Sequence, residues 1–426
     1  MYLCNVKIFN NPLFKQIKIM KNNFIKLMML VMACFIGMTG DGQTAYITIN
    51  SDSSVFVINV ATNTVKDTIH VGKGPGGVSV SQDGSRVYVA NESDNTVCVI
   101  DAHSNTVIST IPVGHYPMGL CVSPDGSKVY VSNYAGDSIK IINTVSNTVT
   151  GAILVGSSPC GIAVSPNGNI IYVTNQGSNT VSVIDAVADT VLATIPVLEL
   201  PYGIVVTPDG STVYVANFSS NTVSVINTAS NTNIDTIVVG FKPLGICVNP
   251  SGTRVYVTNT DNNTVSVINT ATNTVLTSLT VGYNPAGIAV SPDGSKVYVA
   301  SSYDSTVYVI NTANNIISHH IIVSYIPIAF GNFMSLLGTG LPSIDNVSSG
   351  IFVYPNPTNS ILNIRNQLGI TNYELRITDV LGNEIYHETL SIDNCQLSIA
   401  NWNAGIYFYE IRSSTTIARG KFVKEF

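Results

Sequence analysis

The sequence has few charged residues and no long apolar run outside its N-terminal region. Only 10% of its 426 residues are charged, against roughly 25% in an average soluble domain. This scarcity excludes an intrinsically disordered chain, a coiled coil and long charge-rich helices. Beyond residue 44 the apolar runs end after five or six residues at Asn, Thr, Gly or Ser. We therefore expect no permanent membrane span in this part of the chain.

Basic residues are concentrated near the N-terminus. Residues 1–44 hold five of the nineteen Lys and Arg residues and one of the twenty-five acids, so the rest of the chain has a net charge of −10. A negative chain without a basic patch repels phosphates, which excludes nucleic acid as a partner. The basic segment ends at Lys26 and is followed by apolar residues 27–38 and small or polar residues 39–44. This order predicts a secretory signal peptide over residues 1–44, although Met20 could start a compact signal without residues 1–19.

A strict repeat fills residues 46–340. A tyrosine opens the same short apolar segment every 42 residues, at Tyr46, Tyr88, Tyr130, Tyr172, Tyr214, Tyr256 and Tyr298. Within one unit we predict strands over residues 117–123, 128–132, 138–143 and 148–155, separated by turns rich in Asn, Asp and Gly. Four short strands per repeat of about 40 residues indicate a β-propeller blade. Neighbouring blades would cover both faces of each sheet, which explains the low charge.

The two ends of the repeat are out of step by one strand. The first unit lacks its Pro-x-Gly strand, and residues 327–334 add one such strand after the last unit. We predict that residues 327–334 complete the blade begun by residues 46–71 and close a seven-bladed ring. The burial of apolar strand surface would stabilise the closed ring by on the order of 8 kcal/mol, which exceeds the entropic cost of loop closure of about 5 kcal/mol.

The units resemble the YVTN family of β-propeller repeats. The resemblance rests on Tyr-Val-x-Asn at residues 88–91, 130–133, 172–175, 214–217 and 256–259, with Val-Gly-x-x-Pro-x-Gly junctions between units. The first and last copies, residues 46–49 and 298–301, depart from the motif, as units that flank a closure do. The resemblance implies a seven-bladed propeller over residues 45–334, frequent among exported proteins, and no single activity.

The composition changes after a low-complexity linker over residues 335–350. Alternating segments in residues 351–426 predict a small antiparallel, Ig-like β-sandwich. This region resembles the type A sorting domain of the Bacteroidetes type IX secretion system; an ordinary Ig-like domain is the alternative. The resemblance implies delivery across the outer membrane by the type IX secretion machinery, via the periplasm, to the outer cell surface or the medium. The motif residues are Tyr354, Pro355, Asn356, Pro357, Leu381, Gly382, Gly405, Tyr407 and Lys421.

Motifs for catalysis, cofactors or metals are lacking. The six histidines do not cluster, and the adjacent His319 and His320 point to opposite sides of one strand, so we expect no metal site. Haem-attachment, nucleophile-elbow and phosphate-loop motifs are absent, and we expect no cofactor and no catalytic residue. The acidic loop at residues 92–94 lacks the ligand pattern of a dedicated calcium loop. Cys121 and Cys247 replace alanines of other repeats, which indicates small buried apolar side chains.

Residues beside each junction proline vary while their surroundings repeat. In a closed ring these positions converge on one mouth of the central channel, where a glycan or flat small molecule could bind. Packing of the loops against adjacent blades is the simpler interpretation. The candidate mouth residues are His115, Tyr116, Glu199, Tyr202, Phe241, Lys242, Tyr283 and Tyr325.

Two classes of function fit this pattern. The first is an exported, non-catalytic propeller that binds a protein, a glycan or a surface component through its loop-bearing faces. The second is a hydrolase or lyase that resembles the propeller lactonases and streptogramin lyases, with its site at the channel mouth. The catalytic motifs of those families have no counterpart here, so the sequence favours the binding protein.

Overall fold

A computed structural model describes residues 43–324 and 326–335 and, in the C-terminal region, residues 351–354, 361–366, 373–379, 383–390, 394–399, 401–403, 405–412 and 417–424. The chain divides into two compact units, Met1–Thr339 and Gly340–Phe426. Almost all of the predicted signal peptide and linker lies outside the described residues, as do Tyr325, Pro355, Asn356, Pro357, Leu381 and Gly382. Within the described ranges, no helix is long and apolar enough to cross a membrane.

The first unit consists of seven consecutive antiparallel sheets, which are the seven blades. Blade 1 contains β1 (Thr44–Ile49), β2 (Ser54–Asn59) and β3 (Thr64–His70). Blades 2 to 4 contain β4 (Pro75–Val80), β5 (Arg86–Asn91), β6 (Thr96–Asp101) and β7 (Thr106–Pro112); β8 (Pro117–Val122), β9 (Lys128–Asn133), β10 (Ser138–Asn143) and β11 (Thr148–Leu154); and β12 (Pro159–Val164), β13 (Ile170–Asn175), β14 (Thr180–Asp185) and β15 (Thr190–Pro196).

Blades 5 to 7 repeat the same order. They contain β16 (Pro201–Val206), β17 (Thr212–Asn217), β18 (Thr222–Asn227) and β19 (Thr232–Val238); β20 (Pro243–Val248), β21 (Arg254–Asn259), β22 (Thr264–Asn269) and β23 (Thr274–Thr280); and β24 (Pro285–Val290), β25 (Lys296–Ser301), β26 (Thr306–Asn311) and β27 (Ile316–Ile322). One short 3-10 turn, Tyr134–Gly136, interrupts the pattern. The predicted all-β propeller is confirmed, and the strands predicted in blade 3 agree with β8 to β11 within one residue.

The middle strands of each blade are buried on both faces. In β14 the side chains of Val181 and Val183 are at most 1% exposed, although they alternate with the equally buried Ser182. Neighbouring sheets therefore cover both sides of each strand, which leaves little surface for charged side chains. This packing confirms the explanation for the low charge.

Tyrosine hydroxyl groups join two pairs of neighbouring blades. The hydroxyl of Tyr298 in blade 7 donates a hydrogen bond of 2.8 Å to the Oδ1 atom of Asn63 in blade 1, and Tyr214 in blade 5 bonds Asn273 in blade 6 at 3.0 Å. These buried tyrosines open the repeat in the sequence. Their phenol rings fill the space between sheets, while the hydroxyl reaches the turn of the following blade.

The innermost strands of neighbouring blades approach at the glycine of each Pro-x-Gly motif. At Gly161 in blade 4, an added Cβ would overlap the backbone carbonyl oxygen of Tyr202 in blade 5. Only glycine permits this approach, which explains why the residue recurs at six of the seven junctions; the closing segment has Ala329 at this position. The equivalent glycines that face the next blade's backbone are Gly77, Gly119, Gly203, Gly245 and Gly287.

Residues 327–334 close the ring as predicted. Ile49 bridges Pro327 and Ala45 bridges Met334 in antiparallel pairing, so this segment is the innermost strand of blade 1. The backbone N–H of Tyr46 donates to the carbonyl of Phe333 at 2.9 Å. Phe333 is fully buried in a core to which blades 1, 2 and 7 all contribute. The closing segment thus joins the two ends of the repeat through both backbone and side chains.

The outermost strand of each blade contains a β-bulge at the same position. In blade 2, Val99 pairs with Ser109 while Ile100 pairs with Val107, so Ile108 is an extra residue in a β-bulge. All seven blades show a register shift at this position. Bulges of this kind bend an exposed edge strand and discourage its pairing with other chains.

The second unit contains two antiparallel sheets. One consists of β28 (Ile351–Tyr354), β29 (Ile361–Asn366) and β32 (Asn394–Ser398), and the other of β30 (Tyr373–Thr378), β31 (Glu384–Leu390), β33 (Gly405–Arg412) and β34 (Ile417–Lys424). Leu375, Ile377 and Leu397 share one core with residues of β33, and Trp402 packs against it. The predicted small β-sandwich is confirmed.

Candidate functional site

Two sets of loops share one face of the ring, which we call the junction face. The first set connects the outermost strand of one blade to the innermost strand of the next, as residues 155–158 do. The second set connects the second and third strands of a blade, as residues 134–137 do. Because the strands alternate in direction, the remaining turns lie on the opposite face. The junction face therefore carries the predicted mouth residues that lie within the described ranges.

Backbone hydrogen bonds fix the two sets of loops against each other. The first residue after each Tyr-Val-x-Asn motif donates its N–H to the carbonyl of the residue before the junction proline. The bond from Tyr134 to Tyr116 is 3.0 Å long, and that from Phe218 to Leu200 is 2.9 Å long. The side chain that follows the motif is thereby placed beside the innermost strand, at the rim of the channel.

The residue before each junction proline has a left-handed backbone. Tyr116 has φ of 56° and Lys242 has φ of 52°, a conformation that is uncommon for residues other than glycine. Side chains of the preceding blade hold it: Asn95 Oδ1 accepts the N–H of Tyr116, and Asn221 Oδ1 accepts that of Lys242, both at 2.9 Å. Asp137 has the same role for Ser158 at 2.8 Å, so its carboxylate is structural.

Polar and aromatic side chains of blades 2 to 5 form a continuous cluster at the channel rim. Tyr116 and Tyr134 have ring centroids 5.9 Å apart, and the hydroxyl of Tyr134 donates to Oε1 of Gln176 at 2.7 Å. Gln176 also bonds Tyr202, whose ring lies 5.7 Å from that of Phe218. We call this set the mouth cluster; its members are Glu92, Tyr116, Tyr134, Gln176, Tyr202 and Phe218.

Glu92 is the acidic group of the mouth cluster. Its carboxyl group is hydrogen-bonded to Tyr116, and desolvation by burial raises its pKa from 4.5 to about 7 in spite of that bond. The charge of Glu92 in turn raises the pKa of Tyr116. Gly76 provides the space for this carboxyl group, because a Cβ at Gly76 would overlap Oε1. Glu92 therefore exchanges its proton near neutral pH, which is uncommon for a glutamate.

Lys242 lies at the far end of the mouth cluster. Its Nζ is 2.9 Å from a carboxylate oxygen of Asp261 and 5.8 Å from the centroid of the Phe218 ring. Both charged side chains are nearly half exposed. The cation is therefore balanced by an acid of the next loop, and the aromatic ring orients its stem.

Two aromatic rings close the channel below the mouth. Tyr202 of blade 5 stacks on Phe330 of the closing segment, with centroids 6.2 Å apart and an angle of 28° between the rings. The cavity beneath has a volume of about 60 Å³ and includes Met118 and Cys160 in its lining. Burial raises the pKa of the Cys160 thiol to about 12, so the thiol is protonated at neutral pH. A ligand of this channel would bind at the mouth.

The candidate residues predicted from the sequence fall into two groups. Tyr116 and Tyr202 belong to the mouth cluster, and Lys242 contacts it through Phe218. Phe241 and Tyr283 are 57% and 66% exposed, and their backbone N–H groups bond Asn262 and Asp304 of the neighbouring loops. Glu199 and His115 also have exposed side chains, and Tyr325 lies outside the described residues.

Four members of the mouth cluster were not among the sequence predictions: Glu92, Tyr134, Gln176 and Phe218. All four are the first residue after a Tyr-Val-x-Asn motif. This position varies from blade to blade while the motif before it repeats, as the residues beside the junction proline also do. The same test of variability within a constant repeat, applied to the second loop of the blade, would have found them.

The two acidic side chains considered for calcium, those of Glu92 and Asp94, have different surroundings. Glu92 faces the channel rim, whereas the carboxylate of Asp94 accepts the backbone N–H of Lys73 at 2.7 Å. Among the described residues there is no group of three His, Cys, Asp or Glu side chains that could hold a metal.

Cys121 and Cys247 are free thiols, and burial raises the pKa of Cys121 to about 11.

Comparisons with known proteins support the propeller. Residues 35–195 match the family of seven-bladed β-propeller lactonases. Among solved structures, hydrazine synthase of Kuenenia stuttgartiensis is 23% identical, with a TM-score of 0.59 over 65% of this chain and 94% of that chain. A candidate 6-phosphogluconolactonase from Bacteroides uniformis is 18% identical, with a TM-score of 0.60 over 68% and 98% of the two chains.

A third structure, a protein of unknown function from Desulfotomaculum acetoxidans, is 17% identical, with a TM-score of 0.60 over 68% of this chain and 99% of that chain. Identities of this size show a shared fold alone. No curated protein is significantly similar in sequence. The YVTN resemblance of the repeats stays a prediction.

The C-terminal region has a separate match. Residues 352–425 match the family described as secretion system C-terminal sorting domain. This domain directs export through type IX secretion to the cell surface or the extracellular space. The prediction of destination made from the motifs of this region is confirmed.

Proposed function

We propose that this exported seven-bladed propeller with a C-terminal sorting domain is a non-catalytic binding protein, whose ligand docks on the junction face at the mouth cluster. The observation that carries the proposal is the continuous series of side chains from Glu92 to Phe218, built from four different blades. Aromatic side chains with polar neighbours provide much of the energy in recognition sites. The ligand is a protein, a glycan or another surface component.

The position of the mouth cluster supports a binding role. The propeller presents it on loops whose backbones are fixed by paired hydrogen bonds, as described for Tyr116 and Tyr134. Loops held by a rigid scaffold lose little conformational entropy on binding. Tyr116 is 43% exposed, so its side chain is available to a partner.

Binding to cell-envelope preparations tests the proposal. The double variant Tyr134→Ala, Phe218→Ala removes two rings of the mouth cluster, and we expect at least a tenfold weaker association. The matched control is Val145→Ser, Val187→Ser, which changes two apolar residues on the opposite face that are 78% and 81% exposed. Equal binding by the wild type and the mouth variant would refute the proposal, and a loss confined to the control variant would move the site to the opposite face.

A hydrolase or lyase is the second candidate, and Glu92 is the observation that favours it. A pKa of about 7 suits a general acid or base at neutral pH. The group that bonds Glu92 is the phenol of Tyr116, whose pKa is raised by the charge of Glu92. Burial raises the pKa of the neighbouring Tyr202 phenol as well. Phenols of this kind transfer protons poorly at neutral pH. Turnover of a lactone panel that Glu92→Gln abolishes, with folding unchanged, would establish the enzyme.

A further inference from the structure

The mouth cluster occupies only one part of the rim. In blades 2 to 5 the position after the Tyr-Val-x-Asn motif holds large or polar side chains, namely Glu92, Tyr134, Gln176 and Phe218. In blades 6, 7 and 1 the equivalent residues are the smaller Thr260, Ser302 and Asn50. Ser302 bonds the backbone of the closing segment instead of facing a ligand, through the carbonyl of Pro327 at 3.2 Å. A ligand recognised by this rim therefore contacts it on one side.

The angles between the rings restrict what can bind there. The rings of Tyr116 and Tyr134 are tilted by 56°, and those of Tyr202 and Phe218 by 46°. The one nearly parallel pair, Tyr202 and Phe330, is already in mutual contact. The rim thus lacks a slot with two parallel walls for a flat aromatic ligand. Tyr134 and Phe218 are both partly exposed, and a single partly exposed ring suits the C–H groups on one side of a sugar ring.

Apart from Glu92, the polar groups between the rings, Tyr116 and Gln176, are neutral at neutral pH. Gln176 is only 9% exposed, and its carbonyl oxygen is taken by Tyr134. Glu92 is close to half protonated at pH 7, and Lys242 is paired with Asp261. These groups donate and accept hydrogen bonds at short intervals, as a polyhydroxylated molecule requires, and no free cation in the cluster selects for an anion.

We propose that the mouth cluster binds a neutral saccharide, with sugar rings on Tyr134 and Phe218 and hydroxyl groups bonded by Glu92 and Tyr116. The proposal rests on the proposed function, since it names the ligand class of that site. The cavity below the rim has a volume of only about 60 Å³, so the sugar stays above Tyr202 and Phe330.

Calorimetric titration of the full chain tests the ligand class. The probes are cellotetraose, maltotetraose, mannotetraose and tetraacetylchitotetraose, with tetragalacturonate as the anionic comparison, at pH 6 and pH 8. We expect one or more neutral probes to bind, with at least tenfold weaker binding by Tyr134→Ala or by Phe218→Ala. The control is Tyr303→Ala, an aromatic residue 65% exposed on the same face in blade 7, which should bind as the wild type does.

Glu92→Gln gives a second, sharper comparison. A glutamine does not ionise, so this variant should bind equally at pH 6 and pH 8. The affinity of the wild type should differ several-fold between the two pH values, because ionisation of Glu92 removes its O–H donor and strengthens its acceptor oxygens. Circular dichroism confirms that each variant is folded. Absence of binding by all four neutral probes, preference for tetragalacturonate, or an equal loss in Tyr303→Ala would overturn the saccharide proposal.

The two proposals fail in different ways. If the envelope assay still depends on Tyr134 and Phe218 while no neutral probe binds, the mouth is a binding site for another class of ligand and only the saccharide proposal is wrong. If envelope binding is also independent of both rings, the proposed function is wrong as well.

Discussion

The hydroxyl of Thr174 in blade 4 donates a hydrogen bond of 2.7 Å to the backbone carbonyl oxygen of Tyr202 in blade 5. The same hydroxyl accepts the backbone N–H of Gly161 at 2.8 Å, so one side chain joins two innermost strands. Ser132 and Thr258 form equivalent bonds to the carbonyls of Cys160 and Ala286. Where the repeat has alanine at this position, as in blade 5, this bridge is lacking. The hydroxyl also supports the strand that presents Tyr202 to the channel mouth.

We expect Thr174→Val to lower the free energy of unfolding by about 1–3 kcal/mol, because a buried N–H and a buried carbonyl lose their partner at nearly constant volume. Thr174→Ser keeps the hydroxyl and should cost less, as Ser132 makes the same bond naturally. Chemical denaturation followed by tyrosine circular dichroism measures both variants. The bridge is unimportant for stability if valine and serine have the same effect.

The closing segment, residues 327–334, should contribute strongly to the stability of the propeller. Phe333 is fully buried between blades 1, 2 and 7, so Phe333→Ala should lower the free energy of unfolding of the propeller by about 3–5 kcal/mol. Tyr303→Ala, at a residue 65% exposed, is the matched control and should change it by less than about 0.5 kcal/mol. Calorimetry measures the unfolding of the propeller. Tryptophan fluorescence does not, because the one tryptophan of the sequence, Trp402, lies in the second unit. An unchanged propeller transition in Phe333→Ala would contradict the role of this segment.

Much of this architecture could be predicted from the repeat. Once the tyrosine recurs every 42 residues, the surplus strand at residues 327–334 and the missing one before Tyr46 indicate the closure, which pairing of Ile49 with Pro327 confirms. The strand limits could be predicted because turns rich in Asn and Gly separate the strands of every blade. The closure and the strand limits depend on the order of residues along the chain, so they can be read from the sequence.

The mouth cluster could be predicted only in part, because it depends on which loops of different blades meet. Glu92 and Tyr116 are 24 positions apart and occupy different kinds of loop, and their contact requires the left-handed backbone at Tyr116 that Asn95 stabilises. The raised pKa of Glu92 depends on burial beside Gly76, the only glycine at the middle position of a Pro-x-Gly motif. Local pattern shows that such positions vary, while the direction of a side chain comes from the fold.

Glu92 should make stability depend on pH. Its folded-state pKa of about 7 exceeds the ordinary value of 4.5, so between these values the folded state holds a proton that the unfolded state has released. The free energy of unfolding therefore falls as pH rises from about 4.5 through 7. Glu92→Gln removes this loss, and its stability relative to the wild type should rise by about 1–2 kcal/mol between pH 4.5 and pH 8.

Urea denaturation at the two pH values measures the difference, and Glu199→Gln is the control because Glu199 is an exposed carboxylate on the same face. This variant keeps Glu92, so it should retain the pH dependence of stability of the wild type. A constant difference between Glu92→Gln and the wild type at both pH values would show that Glu92 titrates as an ordinary glutamate.

Export should depend on the second unit and not on the mouth cluster. A chain that lacks residues 351–426 should stay inside the cell envelope, while the full chain reaches the surface or the medium, because residues 352–425 form the sorting domain. Ile377→Asp places a charge in the buried core shared by the two sheets of that domain, so it should block export as the deletion does. Tyr134→Ala with Phe218→Ala should be exported normally. Protease accessibility on intact cells distinguishes the locations, and surface exposure of the truncated chain at the level of the full chain would show that another part of the protein directs its export.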